Sequence, residues 1–502
     1  VAIGHEAMRF YSNSSADGNV AIGYQAMYVG GNQADNSASN NVVIGRNAGN
    51  VMNTGYQNVL IGAYTGDAIT TGYNNTALGY GALSAEDTGT RNVAIGNEAL
   101  KDLNYDGAGY NVGVGHRAGY ALTTGVYNTL LGSFAGYSLT TGIENTALGY
   151  ASLYHNVTGN YNTTIGRGAG ARFLNAESTA LGYYAGHYAS GSQNTFVGAL
   201  AGQGGTTGAP YSSGQHNTAL GYKALYAFTT GNYNVAIGRE ALPASTSGGS
   251  SVAIGYGAGL SITTSNLNVL IGYQAGAQQT TADNNTAVGS YASQHNYKGT
   301  EVTTLGYRAG RYASGSYNTF VGAQAGLGGT TSAPYSSGEK NVAIGYRALD
   351  AFTTGFQNVA IGYDAGGAIT TSHYNVLIGQ DAGKSITSGN GRSVLIGTFA
   401  GDAQTTSDYN VAIGYLALSD NQVGSDNIAI GGAAGNKLLG PENVIVGTSA
   451  GDALTTSSGS VVIGNNALTT ATTDKYGVTI GFEAMKLTPA GLALETTIAI
   501  GY

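Results

Sequence analysis

The chain has 502 residues, of which 83 are glycine and 5 are proline, and it contains no cysteine. Its formal net charge is −8 and only 9% of its residues are charged, so it offers no basic face to nucleic acid or anionic lipid. No run approaches the roughly 20 apolar residues that a membrane-spanning helix needs. We therefore expect no nucleic-acid partner and no membrane insertion of this segment.

A short phrase, Asn-Val-Ala-Ile-Gly-Tyr-x-Ala, recurs with variations along the whole chain. Its glycine occurs 29 times, from Gly4 to Gly501, and the commonest step between successive glycines is 17 residues. A fixed short period is typical of one unit stacked on itself. The sequence predicts an all-β protein, a parallel β-roll or β-solenoid of about 28 stacked rungs of ~17 residues. We expect residues 1–502 to be one continuous repeat, taken from a longer chain because both ends fall within the phrase.

Positions within a repeat are counted from its glycine. In many copies a Thr-Thr pair stands nine and eight residues before that glycine, and it is the first predicted element of the repeat. The pairs at 70–71, 123–124, 140–141 and 353–354 are each followed by glycine. This pattern predicts a second short strand that ends in a turn.

Asparagine stands four residues before the repeat glycine in 21 copies, including Asn58, Asn75 and Asn92. Its amide can bond the nearby backbone and the same amide one rung away. The sequence therefore predicts a structural asparagine ladder. A row of glycan-binding amides is the alternative.

The three residues before the glycine form the main predicted strand. The residue directly before it is Ile, Leu or Val in all 29 copies, as at Ile61 and Ile95, and the residue three before is mostly Val or Thr. We expect this pair of positions to stack into aliphatic ladders inside the coil, so that Ile95→Asp would disrupt the stacking. The residue between them is also small or apolar, as at Ala21 and Leu60. A coil of ~17 residues is too thin to cover both strand faces, which predicts that neighbouring chains cover one.

The repeat glycine, as at Gly62, Gly79 and Gly96, is expected at a corner where a positive φ or a close backbone approach excludes a β-carbon. Three residues later, 26 of the 28 copies that extend that far have alanine, as at Ala82 and Ala99, which predicts a tight inward position. Tyrosine follows the glycine directly in 12 copies, and we expect it to pack along the seam with its hydroxyl in water. Sugar binding by the stacked tyrosines is the alternative.

Two segments, 182–238 and 306–362, are near-copies 124 residues apart and indicate an internal duplication. Each contains a 23-residue step between glycines, whose extra residues must bulge as a loop. Loops on a rigid scaffold are frequent recognition sites, although a duplicated insertion without a role is the alternative. The candidate recognition residues are Pro210, Tyr211, Pro334 and Tyr335.

No catalytic constellation emerges from the sequence. The seven histidines are spread over several repeat positions, which predicts no metal-ligand ladder. The adjacent acidic residues Glu86 and Asp87 are expected in a solvated turn rather than as a glycosidase pair. We expect a protein that is not an enzyme and that needs no cofactor or metal.

The phrase Asn-Val-Ala-Ile-Gly-x-x-Ala, as at 92–99 and 341–348, resembles the head repeats of trimeric autotransporter adhesins and is similar to repeats of phage tail fibres. The resemblance covers almost the whole chain. It implies a left-handed parallel β-roll, three chains side by side as a homotrimer, and an extracellular cell-surface or virion-surface fibre that attaches to a glycan or receptor. The family's head repeats are commonly a few residues shorter, and its neck, coiled-coil stalk and membrane anchor do not occur in this segment.

The sequence thus favours a structural and adhesive fibre. One alternative is a single-chain solenoid whose Thr-Thr ladders bind ice or a crystalline polysaccharide. Steps of 16, 18, 19 and 23 residues interrupt those ladders and disfavour ice. Another alternative is a tailspike-type depolymerase with a carboxylate cluster formed between chains.

Overall fold

The computed structural model describes residues 1–11, 16–29, 36–209, 211–332, 335–487 and 493–502. Within these ranges the chain forms short β-strands joined by turns and no α-helix. It divides into two compact units, Val1–Ser250 and Ser251–Tyr502. The predicted all-β class is confirmed, because the strands form a parallel β-solenoid of about 28 turns. None of the described residues belongs to a helix long and apolar enough to cross a membrane.

The described residues of the first unit form fourteen strands of two or three residues, and consecutive strands from β1 to β14 pair in parallel. Paired residues occupy the same repeat position, as where Leu60 lies opposite Ala77. The strands are β1 (Ala2–Ile3), β2 (Val20–Ile22), β3 (Val42–Ile44), β4 (Val59–Ile61), β5 (Thr76–Leu78), β6 (Val93–Ile95), β7 (Val112–Val114), β8 (Thr129–Leu131), β9 (Thr146–Leu148), β10 (Thr163–Ile165), β11 (Thr179–Leu181), β12 (Thr195–Val197), β13 (Thr218–Leu220) and β14 (Val235–Ile237).

The second unit repeats this arrangement. Its strands are β15 (Val252–Ile254), β16 (Val269–Ile271), β17 (Thr286–Val288), β18 (Thr303–Leu305), β19 (Thr319–Val321), β20 (Val342–Ile344), β21 (Val359–Ile361), β22 (Val376–Ile378), β23 (Val394–Ile396), β24 (Val411–Ile413), β25 (Ile428–Ile430), β26 (Val444–Val446), β27 (Val461–Ile463), β28 (Thr473–Lys475), β29 (Val478–Ile480), β30 (Ala493–Glu495) and β31 (Ile498–Ile500). Consecutive strands from β15 to β27 pair in parallel, and the ladder continues through β29 and β31. Strands β28 and β30 form a separate parallel pair.

The interior of each coil is narrow and is filled from several repeat positions. The middle residue of every strand from β2 to β29 is buried, and the alanine three residues after the glycine packs there too, as Leu60 and Ala82 illustrate. A further interior position, ten residues before the glycine, was not predicted. Ile69 fills it and is fully buried. Glu86 fills it one rung later, so the expectation that Glu86 lies in a solvated turn is wrong.

The flanking strand residues face outward, which corrects the sequence-based assignment. Ile61 and Ile95 are only half-buried, whereas Leu60 and Ala94 beside them are fully buried. Strand side chains alternate between faces, so a three-residue strand sends either its middle residue or its flanking pair inward. The narrow interior, already holding alanine from the opposite wall, admits only the single middle side chain. An aspartate at Ile95 would therefore face outward instead of entering the coil.

The predicted second strand at the Thr-Thr pairs is also wrong for the pairs at 70–71, 123–124, 140–141 and 353–354, which lie in bends. In the first of these, the Thr70 carbonyl accepts hydrogen bonds from the amides of Asn53, Thr54 and Gly55 at 2.8–3.2 Å. Three amides converging on one carbonyl do not form the alternating pattern of a strand ladder. The bend turns Ile69 inward, which accounts for the burial of that side chain.

The turn after each repeat glycine contains residues with a left-handed backbone. In the turn after β6, Glu98 and Leu100 have φ values of 53° and 46°. The Glu98 amide donates to the Tyr80 carbonyl at 2.8 Å, and the Leu100 amide donates to the Ala118 carbonyl at 2.9 Å. Those carbonyls belong to the preceding and following rungs respectively. The left-handed residues thus direct successive amides to both neighbours, and stacking offsets their conformational cost.

Candidate functional site

The predicted asparagines form a buried amide ladder. The Nδ2 of Asn58 donates to the Oδ1 of Asn41 at 3.0 Å and to the Gly72 carbonyl at 2.9 Å. The backbone amides of Asn75 and Asn92 each donate to the Oδ1 of the asparagine one rung earlier, both at 3.0 Å. Asn58, Asn75 and Asn92 are at most 1% exposed. A glycan could not reach these amides, so the geometry assigns them to holding the rungs together.

The repeat glycines stand where two rungs come closest. Gly62, Gly79 and Gly96 have φ values of +138°, +137° and +132°. A β-carbon at Gly79 would lie 2.4 Å from the carbonyl oxygen of Gly96. Ala82 and Ala99, which follow three residues after Gly79 and Gly96, are fully buried. These glycines and alanines have structural roles in the coil, so residues that contact a ligand must be side chains on its outer surface.

One set of outward strand residues forms an apolar row along each unit, which we call the aliphatic stripe: the Ile, Leu or Val directly before each repeat glycine. In the first unit Leu78 and Leu131 are 45% and 41% exposed. In the second unit Leu305 and Ile344 are 49% and 38% exposed. Because strand pairing keeps equivalent positions in register, these side chains recur once per rung on one face of the sheet.

The two candidate recognition loops place their tyrosines against the coil. Pro210 and Pro334 lie outside the described residues. Tyr211 and Tyr335 are half-buried. The guanidinium of Arg172 lies 4.5 Å from the ring centroid of Tyr211, and the imidazole of His295 stacks on Tyr335 at 4.9 Å. Arg172 and His295 both stand six residues after a repeat glycine, so the two tyrosines contact residues at the same repeat position.

Tyr335 belongs to an aromatic cluster in the second unit. Its ring lies 5.3 Å from that of Tyr297, and His295 stacks on Tyr312 at 5.0 Å. Gln278 accepts hydrogen bonds from the Nδ1 of His295 and from the Tyr297 hydroxyl. A groove of about 660 Å³ beside the cluster is lined by Tyr297, Tyr335, Lys298, Glu339 and neighbouring serines. Aromatic rings beside polar groups are suited to binding sugars.

The first unit contains a second candidate site that the sequence did not predict. We call it the arginine–histidine cleft: a cleft of about 210 Å³ lined by Tyr150, Tyr154, His155, Arg167, Arg172, Tyr184 and His187, with small residues between them. His155 and Arg172 stand six residues after successive repeat glycines, and His187 stands five after the next. Aligning the chain by repeat position would have brought these three together.

The electrostatics of this cleft are cationic. Burial lowers the pKa of His155, and the charge of Arg172 lowers it further. Burial and Arg172 also lower the pKa of His187, whose Nδ1 donates to the Gly168 carbonyl at 2.7 Å. Neither Arg167 nor Arg172 forms an ion pair with a carboxylate of the described residues. The cleft therefore concentrates positive charge without a counter-charge from the chain.

Some charged groups elsewhere neutralise one another. In the second unit Lys384 lies 2.9 Å from Asp381 and 3.6 Å from Asp364, and Arg347 lies 2.8 Å from Asp350. In the part of the chain that the structure describes, no group of three or more His, Cys, Asp or Glu is arranged to hold a metal ion.

No protein-family model matches the chain, and no curated protein matches it.

Proposed function

We propose that this protein is a structural and adhesive fibre of the cell surface or virion surface, formed by three copies of the chain side by side, each a left-handed β-solenoid. The observation that carries the proposal is the aliphatic stripe. Leucine and isoleucine side chains that are 36–49% exposed recur on the outer strand face in both units. A contiguous exposed apolar surface of this kind marks an interaction site in a soluble protein.

A second copy of the same chain fits the stripe better than an unrelated partner. The stripe repeats with the spacing of stacked strands, about 4.8 Å per rung. Only a partner with the same repeat can match it rung by rung, and another copy of this chain has that repeat. Parallel copies related by a rotation axis would bury all their stripes together in a closed assembly.

Adhesion is supported by two aromatic clusters that lie outside the strands. The groove beside Tyr335 and the arginine–histidine cleft both present tyrosine rings next to polar groups. Such rings offer a flat apolar face, and the groups around them can hydrogen-bond sugar hydroxyls. We infer that these sites attach the fibre to a glycan.

The ice-binding alternative is weakened by the bonding of the threonines. The Thr353 hydroxyl donates to the Thr370 carbonyl at 3.0 Å, and the Thr370 hydroxyl donates to the Thr387 carbonyl at 2.7 Å. The first threonine of these pairs thus bonds the next rung and does not present its hydroxyl to a crystal. Absence of thermal hysteresis would remove this alternative. A depolymerase would cut polysaccharide, which incubation with the purified protein would detect.

The experiment that tests the fibre is the solution mass of the chain by light scattering after size exclusion. We expect about three times the 50.6 kDa chain mass. A double variant, Leu131→Lys with Leu148→Lys, places two charges in the stripe and should reduce the mass towards that of one chain. Thr124→Lys with Thr141→Lys is the matched control, because it adds the same charges to the same two rungs on another exposed face. A monomeric wild type, or equal masses for both variants, would contradict the proposal.

A further inference from the structure

We propose that the arginine–histidine cleft binds a carboxylated sugar, one acidic residue of a surface glycan. This inference rests on the proposed adhesive function and names the ligand class of one of its sites. Three observations carry it: unpaired guanidinium groups, tyrosine walls, and a volume that suits one sugar ring.

The charge of the cleft calls for an anion. Elsewhere in the same unit Lys101 and Arg117 both pair with Glu98, at 2.9 and 2.7 Å. Arg167 and Arg172 have no such partner among the described residues. A guanidinium presents its N–H donors as a planar fork that matches the two oxygens of a carboxylate. A carboxylate entering the cleft would therefore supply the counter-charge that the chain does not provide.

The walls of the cleft favour a sugar over a simple anion. Arg167 lies between the rings of Tyr150 and Tyr184, 5.7 and 6.0 Å from their centroids. Tyr150 is 52% exposed, so one of its faces or edges remains open to a ligand. Tyrosine rings bind the apolar C–H face of a pyranose while their hydroxyl groups stay in water. The cleft thus pairs cationic donors with an aromatic surface.

The size of the cleft limits the ligand to one residue. Its volume of about 210 Å³ lies below the roughly 300–1,000 Å³ of sites for drug-sized molecules. A longer glycan would place a terminal or branching acidic sugar here and extend along the solvent-exposed surface.

The histidines make binding depend on pH. The titratable and charged groups lining the cleft with His155 and His187 are Tyr150, Tyr154, Arg167, Arg172 and Tyr184. Burial lowers the pKa of both histidines and the charge of Arg172 lowers it further, which favours their neutral forms. A carboxylate beside them raises those pKa values. By linkage, lowering the pH from 7.5 to 5.5 should therefore strengthen binding of a ligand that stays ionised across this range.

The test titrates the full 502-residue chain with small glycosides, followed by saturation-transfer NMR, which detects weak binding to a large protein. The probes are the methyl glycosides of glucuronate and N-acetylneuraminate, the neutral methyl glucoside, methyl glucoside 6-sulfate, and acetate. We expect at least one carboxylated sugar to bind about tenfold or more tightly than the neutral sugar, the sulfate ester and acetate.

Arg172→Gln and Arg167→Gln should each weaken that binding about tenfold, the scale of one lost charge-assisted hydrogen bond. Arg46→Gln is the matched control. Arg46, like Arg167, directly follows a repeat glycine and lies between two tyrosines, Tyr24 and Tyr64, at 6.0 and 5.8 Å. It should bind like wild type. Thermal melting of all three variants checks that the coil is intact.

Several results would overturn the inference. The first is that neither carboxylated sugar binds, and the second is that acetate or the sulfate ester binds as tightly as the carboxylated sugar. The third is that Arg46→Gln weakens binding as much as the cleft variants do, and the fourth is that binding weakens at pH 5.5. The proposed fibre is judged separately by its mass in light scattering. If the chain is a trimer but binds none of the acidic sugars, only the proposed sugar site is disproved. If the chain is a monomer but binds glucuronate, only the proposed fibre is disproved.

Discussion

The side-chain Oε1 of Glu86 accepts a hydrogen bond from the backbone amide of Gly89 at 2.6 Å, inside the coil. Glu86 is fully buried and occupies the position that Ile69 fills one rung earlier. Asn156 makes the equivalent contact, because its Oδ1 accepts a hydrogen bond from the Gly159 amide at 2.7 Å. Glu86 therefore serves as a turn residue that closes the bend, and its carboxyl group is held in apolar surroundings.

This burial predicts a pH-dependent stability. Burial raises the pKa of Glu86 from 4.5 to about 7, against smaller opposing effects of backbone hydrogen bonds. The folded state then binds the proton more tightly than the unfolded state, so stability falls as pH rises from about 4.5 and levels off above about 7. The loss should reach about 3 kcal/mol.

Thermal melting of wild type and Glu86→Gln at pH 5 and pH 8 measures this effect. Other half-buried carboxyls, such as Asp102, have raised pKa values as well, so the comparison between the two proteins is decisive. The variant should lose less stability than wild type between these pH values. An identical drop in both proteins would show that Glu86 does not titrate in this range.

The asparagine ladder predicts a large effect for a small truncation. Asn75→Ala would remove the donor to the Gly89 carbonyl and the acceptor of the Asn92 amide, both inside the coil. Leaving these groups unpaired should cost about 2–4 kcal/mol. Hydrogen exchange of the amides in β5 and β6 would report the local loss. Thr71→Ala, an exposed position in the same rung, should leave their protection unchanged.

Two neighbouring glycines should respond differently to alanine. A β-carbon at Gly79 would meet the Gly96 carbonyl oxygen at 2.4 Å, whereas one at Gly81 would meet nothing nearer than 3.8 Å. Gly81 has a left-handed φ of +61°, where alanine costs about 1–2 kcal/mol, whereas Gly79 has a φ of +137°, a conformation that is nearly restricted to glycine. Gly79→Ala adds a backbone clash and should lower the melting temperature clearly further. Equal melting temperatures would mean that the rungs separate freely at this corner.

The inside and outside of the strand can be tested with adjacent leucines in β8. Leu130 is fully buried, and Leu131 is 41% exposed. Leu130→Asp should destabilise the coil by more than about 4 kcal/mol, because it buries an unpaired carboxylate. Leu131→Asp should change coil stability by about 1 kcal/mol or less, and its effect should appear in the solution mass.

Circular dichroism melts and light scattering on both variants separate these outcomes. If Leu131→Asp unfolded the coil as readily as Leu130→Asp, the strand faces would be assigned incorrectly.

Much of the structure of one rung could be predicted from the sequence, because the role of each residue depends on its neighbours in the same repeat and in the next copy. The strand at β6 follows from its β-branched and aliphatic residues, and the repeat period alone brings Asn75 one rung from Asn92. The inward alanine at Ala99 follows from the near-invariance of its position. Each of these features depends on one repeat and its copy, so the spacing in the chain is enough to infer it.

Other features depend on how the coil closes. Ala94 and Ile95 are both apolar, so the sequence pattern does not show which of the two faces the interior. The interior is narrow, and the smaller alanine therefore points inward. The burial of Glu86 depends on a bend that turns this position inward. The arginine–histidine cleft needs His155, Arg172 and His187 from three rungs to share one column. Steps of 16 and 17 residues align them only because the turns absorb the difference, and this closure is a property of the packed chain that no single repeat specifies.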